Sequence, residues 1–370
     1  MSIKVLSVFG TRAEATKMVP LVLALSECSQ IESRVCVSSQ HRELLDQVLD
    51  AFDIRPDYDL NVMTARQSLT EVTTRVLTGL EPILADAKPD LLLVHGDTAT
   101  TAAAALAAFY AKISIGHVEA GLRTYDKYRP YPEEINRKLT TALSDMHFAP
   151  TKLTQENLLK ENIPADSIFV TGNTAIDLIR YTKSDSYRFK NAALNGLDPS
   201  ERIIFMTAHR NENRGKPMEN ICHAVIRLIR DFPDILLVLP LHPNGAMAEP
   251  AMKLFAGNDR IILTEPLDIF DTHNLMKKSY LMMTDSGGIQ EEAPAFNLPT
   301  VVLREVTERS EGLDAGTLIL AGVVEESIYQ KTANLLTDSA EYKQMALAQN
   351  PFGDGQASKR IIDAIVSRFG

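Results

Sequence analysis

Short β-branched or Leu-rich runs, each followed by a polar or glycine-containing turn and then an Ala- and Leu-rich helical stretch, recur along most of this chain. Apolar runs at 4–9, 34–38, 91–95, 113–118 and 146–148 read as strands buried on both faces, because they lack the in-out alternation of a half-solvated sheet. A second series lies at 168–170, 203–207, 235–239, 261–263, 280–283 and 300–303, with helices such as 98–110 and 218–230 between strands. This pattern predicts an α/β chain of parallel sheets covered by helices on both faces. At 370 residues the chain exceeds what one core usually serves, so two domains are expected, breaking near 171–174. The boundaries are 1–172, 173–350, and a last helical segment, 351–370, returning to the first domain. The polar stretch 181–200 reads as a connector or surface excursion.

Several function classes drop out. The net charge of −10 opposes a general affinity for nucleic acid. No run approaches a membrane span, and the opening apolar run meets Arg12, Glu14 and Lys17 at once, unlike a secretory leader. Cys28, Cys36 and Cys222 form neither a disulfide framework nor a zinc pattern. A reducing, cytoplasmic setting is expected. The first strand–helix turn lacks Gly-x-Gly-x-x-Gly, so no nicotinamide cofactor is expected. No Asp/His spacing matches a metal motif, and no Gly-x-Ser-x-Gly offers a serine nucleophile.

In open α/β sheets, ligands bind where strands end and helices begin. The unusual polar residues of this chain fall there: Arg12, Glu14 and Lys17 after the first strand, His95-Gly96-Asp97-Thr98, Glu119-Ala120-Gly121, His209-Arg210 and Asp285-Ser286-Gly287-Gly288. Singly, each has a plain structural explanation: an Asp after a strand commonly caps a helix, and a Gly commonly makes a turn. Their concentration at successive strand ends points instead to a ligand. Ser286-Gly287-Gly288 suits a diphosphate, since two glycines let the backbone approach it. Glu291 or Glu292 would take a sugar hydroxyl pair. Asp97, Glu119 and Glu133 are acid/base candidates.

Together, Gly10-Thr11-Arg12-x-Glu14-Ala15-x-Lys17-Met18, His95-Gly96-Asp97-Thr98, His117-Val118-Glu119-Ala120-Gly121-Leu122-Arg123 and Pro132-Glu133-Glu134-x-Asn136-Arg137 resemble the non-hydrolysing UDP-N-acetylglucosamine 2-epimerases. Gly172-Asn173-Thr174-x-Ile176-Asp177, Thr284 through Glu292, Thr307-Glu308-Arg309 and Pro351-Phe352-Gly353-Asp354-Gly355 continue the match. The resemblance implies two Rossmann-like, GT-B-like domains with the active site in the interdomain cleft, and a homodimer. It implies interconversion of UDP-GlcNAc and UDP-ManNAc for cell-surface polysaccharide synthesis, without cofactor or metal. It places acid/base groups on Asp97, Glu119, Glu133 and His209. The nucleotide-diphosphate contacts fall on Arg12, Ser286, Gly287, Gly288, Glu292 and Arg309, with Lys17 nearby. A second UDP-GlcNAc, acting as activator, would meet Gln40, Arg66, Arg210 and His242. A GT-B glycosyltransferase and a hydrolysing epimerase are the alternatives that share this fold.

Overall fold

The computed structural model describes residues 2–39, 42–64, 67–198, 200–241 and 248–370. Each apolar run read as a strand forms one, and the chain divides into two compact units, Met1–Leu178 with Gly353–Gly370, and Ile179–Phe352.

The first unit is built on a parallel sheet of β1 (Ile3–Phe9), β2 (Ile31–Val37), β3 (Tyr58–Asp59), β4 (Leu91–His95), β5 (Ser114–Val118), β6 (Met146–Ala149) and β7 (Ile168–Val170). Their order is β3-β2-β1-β4-β5-β6-β7, so chain direction across the sheet reverses where β1 pairs with β4. The helix Arg12–Glu27 starts where Thr11 accepts the Glu14 amide and the Glu14 side chain returns to the Thr11 amide, a reciprocal cap. Thr98 caps Ala99–Tyr110 in the same position after β4. The small alanines of that helix pack on Val8, Leu92 and Val94, all removed from water.

The second unit carries β8 (Arg202–Thr207), β9 (Ile235–Pro240), β10 (Ile261–Thr264), β11 (Leu281–Thr284), β12 (Thr300–Val302) and β13 (Leu318–Leu320), parallel in the order β10-β9-β8-β11-β12-β13. Ile204 and Met206 enter one apolar cluster, while Ile203 and Phe205 enter another. This is the period-two alternation of a strand covered on both faces. Burying each such side chain contributes about 1.5–3 kcal/mol.

Three features depart from the sequence reading or go beyond it. β3 and β13 are edge strands of two and three residues that the sequence reading did not include. The polar stretch 181–200 is no free excursion: Phe189 and Leu194 are buried, and the buried Asp271 carboxylate accepts the Tyr187 hydroxyl (2.8 Å) and the Lys190 and Asn191 amides (3.0 Å each). The last segment is tied into the first unit by the Asp177 carboxylate, which accepts the Ala357 (3.0 Å) and Ser358 (2.7 Å) amides opening the helix Ala357–Phe369.

Candidate functional site

In the first unit the reversal point of the sheet gathers the polar residues. Glu14 is buried, and its carboxylate accepts the Gly10 and Thr11 amides (3.1 and 2.8 Å) and the Thr98 and Thr101 hydroxyls (2.8 and 3.1 Å). It therefore ties the turn after β1 to the turn after β4. Burial pushes its carboxyl pKa up, while the Thr98 and Thr11 bonds pull it back.

Asp97 and Glu119 leave the ends of the paired strands β4 and β5, and the Gly96 amide, donating to the Val118 carbonyl (2.9 Å), links the two turns. Arg137 grips the Asp97 carboxylate at 2.7 Å, and Asn136 Nδ2 donates to the Asp97 carbonyl at 2.8 Å. Both project from the helix Glu133–Leu143, so Glu133 is fixed to the Asp97 turn. Glu133 Oε2 is buried and has no hydrogen-bond partner among the described residues. Its neighbour Glu134 is the structural one: fully buried, it accepts the Thr124 and Tyr125 amides (3.0 Å each) and Arg137 (3.2 Å).

Glu119 has a φ of +65°, in the left-handed region that costs a non-glycine residue roughly 1–3 kcal/mol. Gly121, at φ +91°, lets the chain pass the Thr154 carbonyl, which a Cβ would meet at 2.3 Å. The Glu119 carboxylate is bound by the Lys17 ammonium and by Asn173 Nδ2 (3.0 Å), with His95 Nε2 at 3.9 Å. Lys17, expected near a diphosphate, is thus engaged by a carboxylate. Arg12, in the first helical turn, is exposed and makes no ion pair among the described residues. His95 is buried with neither ring nitrogen hydrogen-bonded among the described residues. Its burial pushes the imidazole pKa down to about 4 against the attraction of Glu119.

The second unit repeats the arrangement at its own reversal point, where β8 pairs with β11. Asp285 is fully buried and accepts the His209 (3.0 Å) and Arg210 (2.8 Å) amides and Asn213 Nδ2 (3.1 Å). It fixes the turn that carries His209, whose side chain stays 57% exposed with Nδ1 3.5 Å from Asp285. Ser286 precedes the short helix Gly287–Glu292, and its amide donates to the Thr284 hydroxyl (3.0 Å). The Arg309 guanidinium lies over Gly287, where an added Cβ would stand 3.1 Å from its Cζ. Arg309 is held by the buried Glu291 at 2.8 Å. Glu292 instead meets the buried His273 at 3.2 Å, and Gly288 lies beside it, since an added Cβ there would stand 3.8 Å from Glu292 Oε1. The two consecutive glutamates therefore differ: Glu291 positions a cation, and Glu292 remains the candidate for hydroxyls.

Of the expected activator residues, Gln40, Arg66 and His242 lie outside the described residues. Arg210 is half-buried, with its Nε unpartnered among the described residues. The described residues contain no group of three or more His, Cys, Asp or Glu able to hold a metal ion, and no helix long and apolar enough to cross a membrane. Sequence reasoning gave no role to the supporting residues His95, Asn173 and Asp285. Their only signal was membership in the strand-end motifs.

A family model described as UDP-N-acetylglucosamine 2-epimerase matches residues 23–366. The UDP-N-acetylglucosamine 2-epimerase of Bacillus subtilis is 54% identical over 368 residues, covering 100% of this chain and 96% of the relative. That of Escherichia coli K12 is 49% identical, covering 98% of each. The crystal structure of the Neisseria meningitidis UDP-GlcNAc 2-epimerase bound to UDP-GlcNAc superposes with a TM-score of 0.86 at 44% identity, covering 99% of this chain and 100% of that one.

Proposed function

Because this chain belongs to the UDP-N-acetylglucosamine 2-epimerase family, we propose that it interconverts UDP-GlcNAc and UDP-ManNAc without net hydrolysis, by eliminating and re-adding UDP. The observation that carries the reading is the placement of Asp97 and Glu119 on the ends of adjacent strands, with Glu133 fixed to the same turn through Asn136 and Arg137.

The chemistry follows from the substrate. C2 of a hexopyranose has no adjacent carbonyl, so its proton cannot leave by forming an enolate. In the elimination, the C1–O bond breaks and its electron pair leaves with UDP. The C2–H pair becomes the C1=C2 double bond of a 2-acetamidoglucal, and a carboxylate takes the proton. Re-addition of UDP to C1, with protonation of C2 on the other face, gives the epimer. Asp97, Glu119 and Glu133 supply the acid/base groups. Arg12, His209, Ser286, Gly287, Gly288 and Arg309 stabilise the charge that develops on the departing diphosphate. Glu292 takes sugar hydroxyls.

The same reading makes the protein a cytoplasmic enzyme of cell-surface polysaccharide synthesis. A homodimer gains support from the exposed apolar side chains Phe109, Tyr110, Ile135 and Leu139 on two contacting helices of the first unit. The unpartnered Arg210 Nε supports a second, activating UDP-GlcNAc. UDP-ManNAc alone then turns over slowly until a trace of UDP-GlcNAc is added, and equal initial rates would remove the activator.

The direct test is product analysis with purified protein, UDP-GlcNAc and no acceptor. A mixture of the two UDP-sugars at constant total supports the reading. Free ManNAc with stoichiometric UDP would make the enzyme hydrolysing, and turnover only with an added acceptor would make it a transferase.

A further inference from the structure

Two motifs of the sequence, Gly172-Asn173-Thr174-x-Ile176-Asp177 and Pro351 through Gly355, have no acid/base or diphosphate role assigned above. The structure assigns them a joint one: we propose that Asn173 is a positioning residue which, with Lys17, holds the Glu119 carboxylate in place and in its ionised form, and that the C-terminal segment locks Asn173 there.

The loop after β7 carries Asn173, which is buried. Its Oδ1 accepts the Ala175 amide (3.0 Å), and that bond fixes the amide group so that Nδ2 points at Glu119 Oε2 (3.0 Å). The Lys17 ammonium reaches the same oxygen from the helix Arg12–Glu27. A cation and an N–H donor on one carboxylate oxygen both favour the anion over the acid. His95, on β4, also faces it 3.9 Å away, its imidazole pKa pushed down to about 4 by burial. A left-handed backbone at Glu119 needs such over-determination from its surroundings to persist.

The C-terminal segment fixes the loop on three sides. Gly353 packs against Asn173, where a Cβ would stand 3.3 Å from the Asn173 nitrogen. Arg360 donates to the Thr171 carbonyl (2.9 Å) from one side of the loop. Asp177 accepts the two amides that open the last helix from the other. The second motif thus holds the first, and the first holds Glu119.

This inference rests on the proposed acid/base role of Glu119, and the test separates the two. The full-length protein is labelled with [5-13C]Glu, and the Glu119 resonance is assigned by its disappearance in Glu119→Gln. Its pH titration is then followed in the native protein, Asn173→Ala and Asn173→Asp. Asn173→Ala is expected to raise the titration midpoint by roughly one pH unit, and Asn173→Asp, which adds a second negative charge, by more. In each variant the acidic limb of kcat/KM should move by as much as that variant's midpoint. Unchanged midpoints in folded variants would overturn the inference, whatever the activity does. Shifted midpoints with an active Glu119→Gln variant would keep the positioning role and remove Glu119 from the chemistry. If Asn173→Ala does not fold, the Lys17→Met titration reads the same carboxylate, and an unmoved midpoint there also overturns the inference.

Discussion

The two units share one topological device and use it for opposite charges. Each has a parallel sheet whose strand order reverses between a pair of central strands, and each gathers its candidate residues at the C-terminal ends of those strands or their neighbours. In the first unit the reversal collects carboxylates already gripped by cations: Asp97 by Arg137, and Glu119 by Lys17. In the second, the carboxylates Asp285 and Glu291 are buried as supports, and what they support is a set of donors: the backbone at His209 and Arg210, and the Arg309 guanidinium above Gly287. On the proposed mechanism, one half moves protons and the other holds an anion, so the same fold would serve either task.

The largest effect should come from the proton-moving half. Glu119→Gln and Glu133→Gln keep shape but cannot take a proton, so kcat should fall roughly 100- to 10,000-fold. UDP affinity, measured by calorimetry, should barely change. A large loss of UDP affinity in either variant would break the division between the halves.

The next effect belongs to the anion-holding half. Arg309→Ala removes a charge-assisted contact worth about 1.5–3 kcal/mol and should weaken UDP binding roughly tenfold or more. Arg12 is a cation of the first unit that makes no ion pair among the described residues, which leaves it able to meet the same anion. Arg12→Ala should behave like Arg309→Ala. Unchanged UDP affinity in the folded Arg12 variant would leave anion binding to the second unit alone.

The smallest effect concerns stability. His95 and His117, both buried in the first unit, have folded-state pKa values of about 4 and about 3 against 6.5 for the free side chain, in each case chiefly through burial. The unfolded chain binds the extra proton first, so stability is full above pH 6.5 and is lost as pH falls toward the folded values. Between pH 6.5 and roughly 5.5 each histidine should cost about 1 kcal/mol. Hydrogen exchange should show the first unit losing protection more steeply than the second as acid is added. Equal or opposite slopes would contradict this assignment of acid sensitivity.

Much of the fold was legible because a parallel strand buried on both faces must be a continuous apolar run. Leu91–Val94 of β4, Ile203–Met206 of β8 and Leu281–Met283 of β11 carry that signal without interruption, while β1 shows it despite Lys4 and Ser7. β3 escaped because the two residues Tyr58-Asp59 make no pattern, whereas β13 is as apolar as β7, a three-residue edge strand that was read, so its length does not explain the miss. Phe189 and Leu194 escaped because two apolar anchors within a polar stretch look like surface. At the site, motif residues such as Asp97 and Arg309 were visible by residue type and place. Their division of labour was not. The difference between Glu133 and Glu134, or between Glu291 and Glu292, is a matter of helix rotation, and neighbouring letters in a sequence do not show which side chain turns inward.

Elimination and re-addition require that a proton leave C2 and another return. Turnover of UDP-GlcNAc in D2O, followed by proton NMR, tests it most directly. Deuterium should appear at C2 of the UDP-ManNAc formed, with gradual exchange into the UDP-GlcNAc pool as the reaction reverses. Epimerised product that keeps its original hydrogen at C2 would contradict elimination and require a route that never releases that proton.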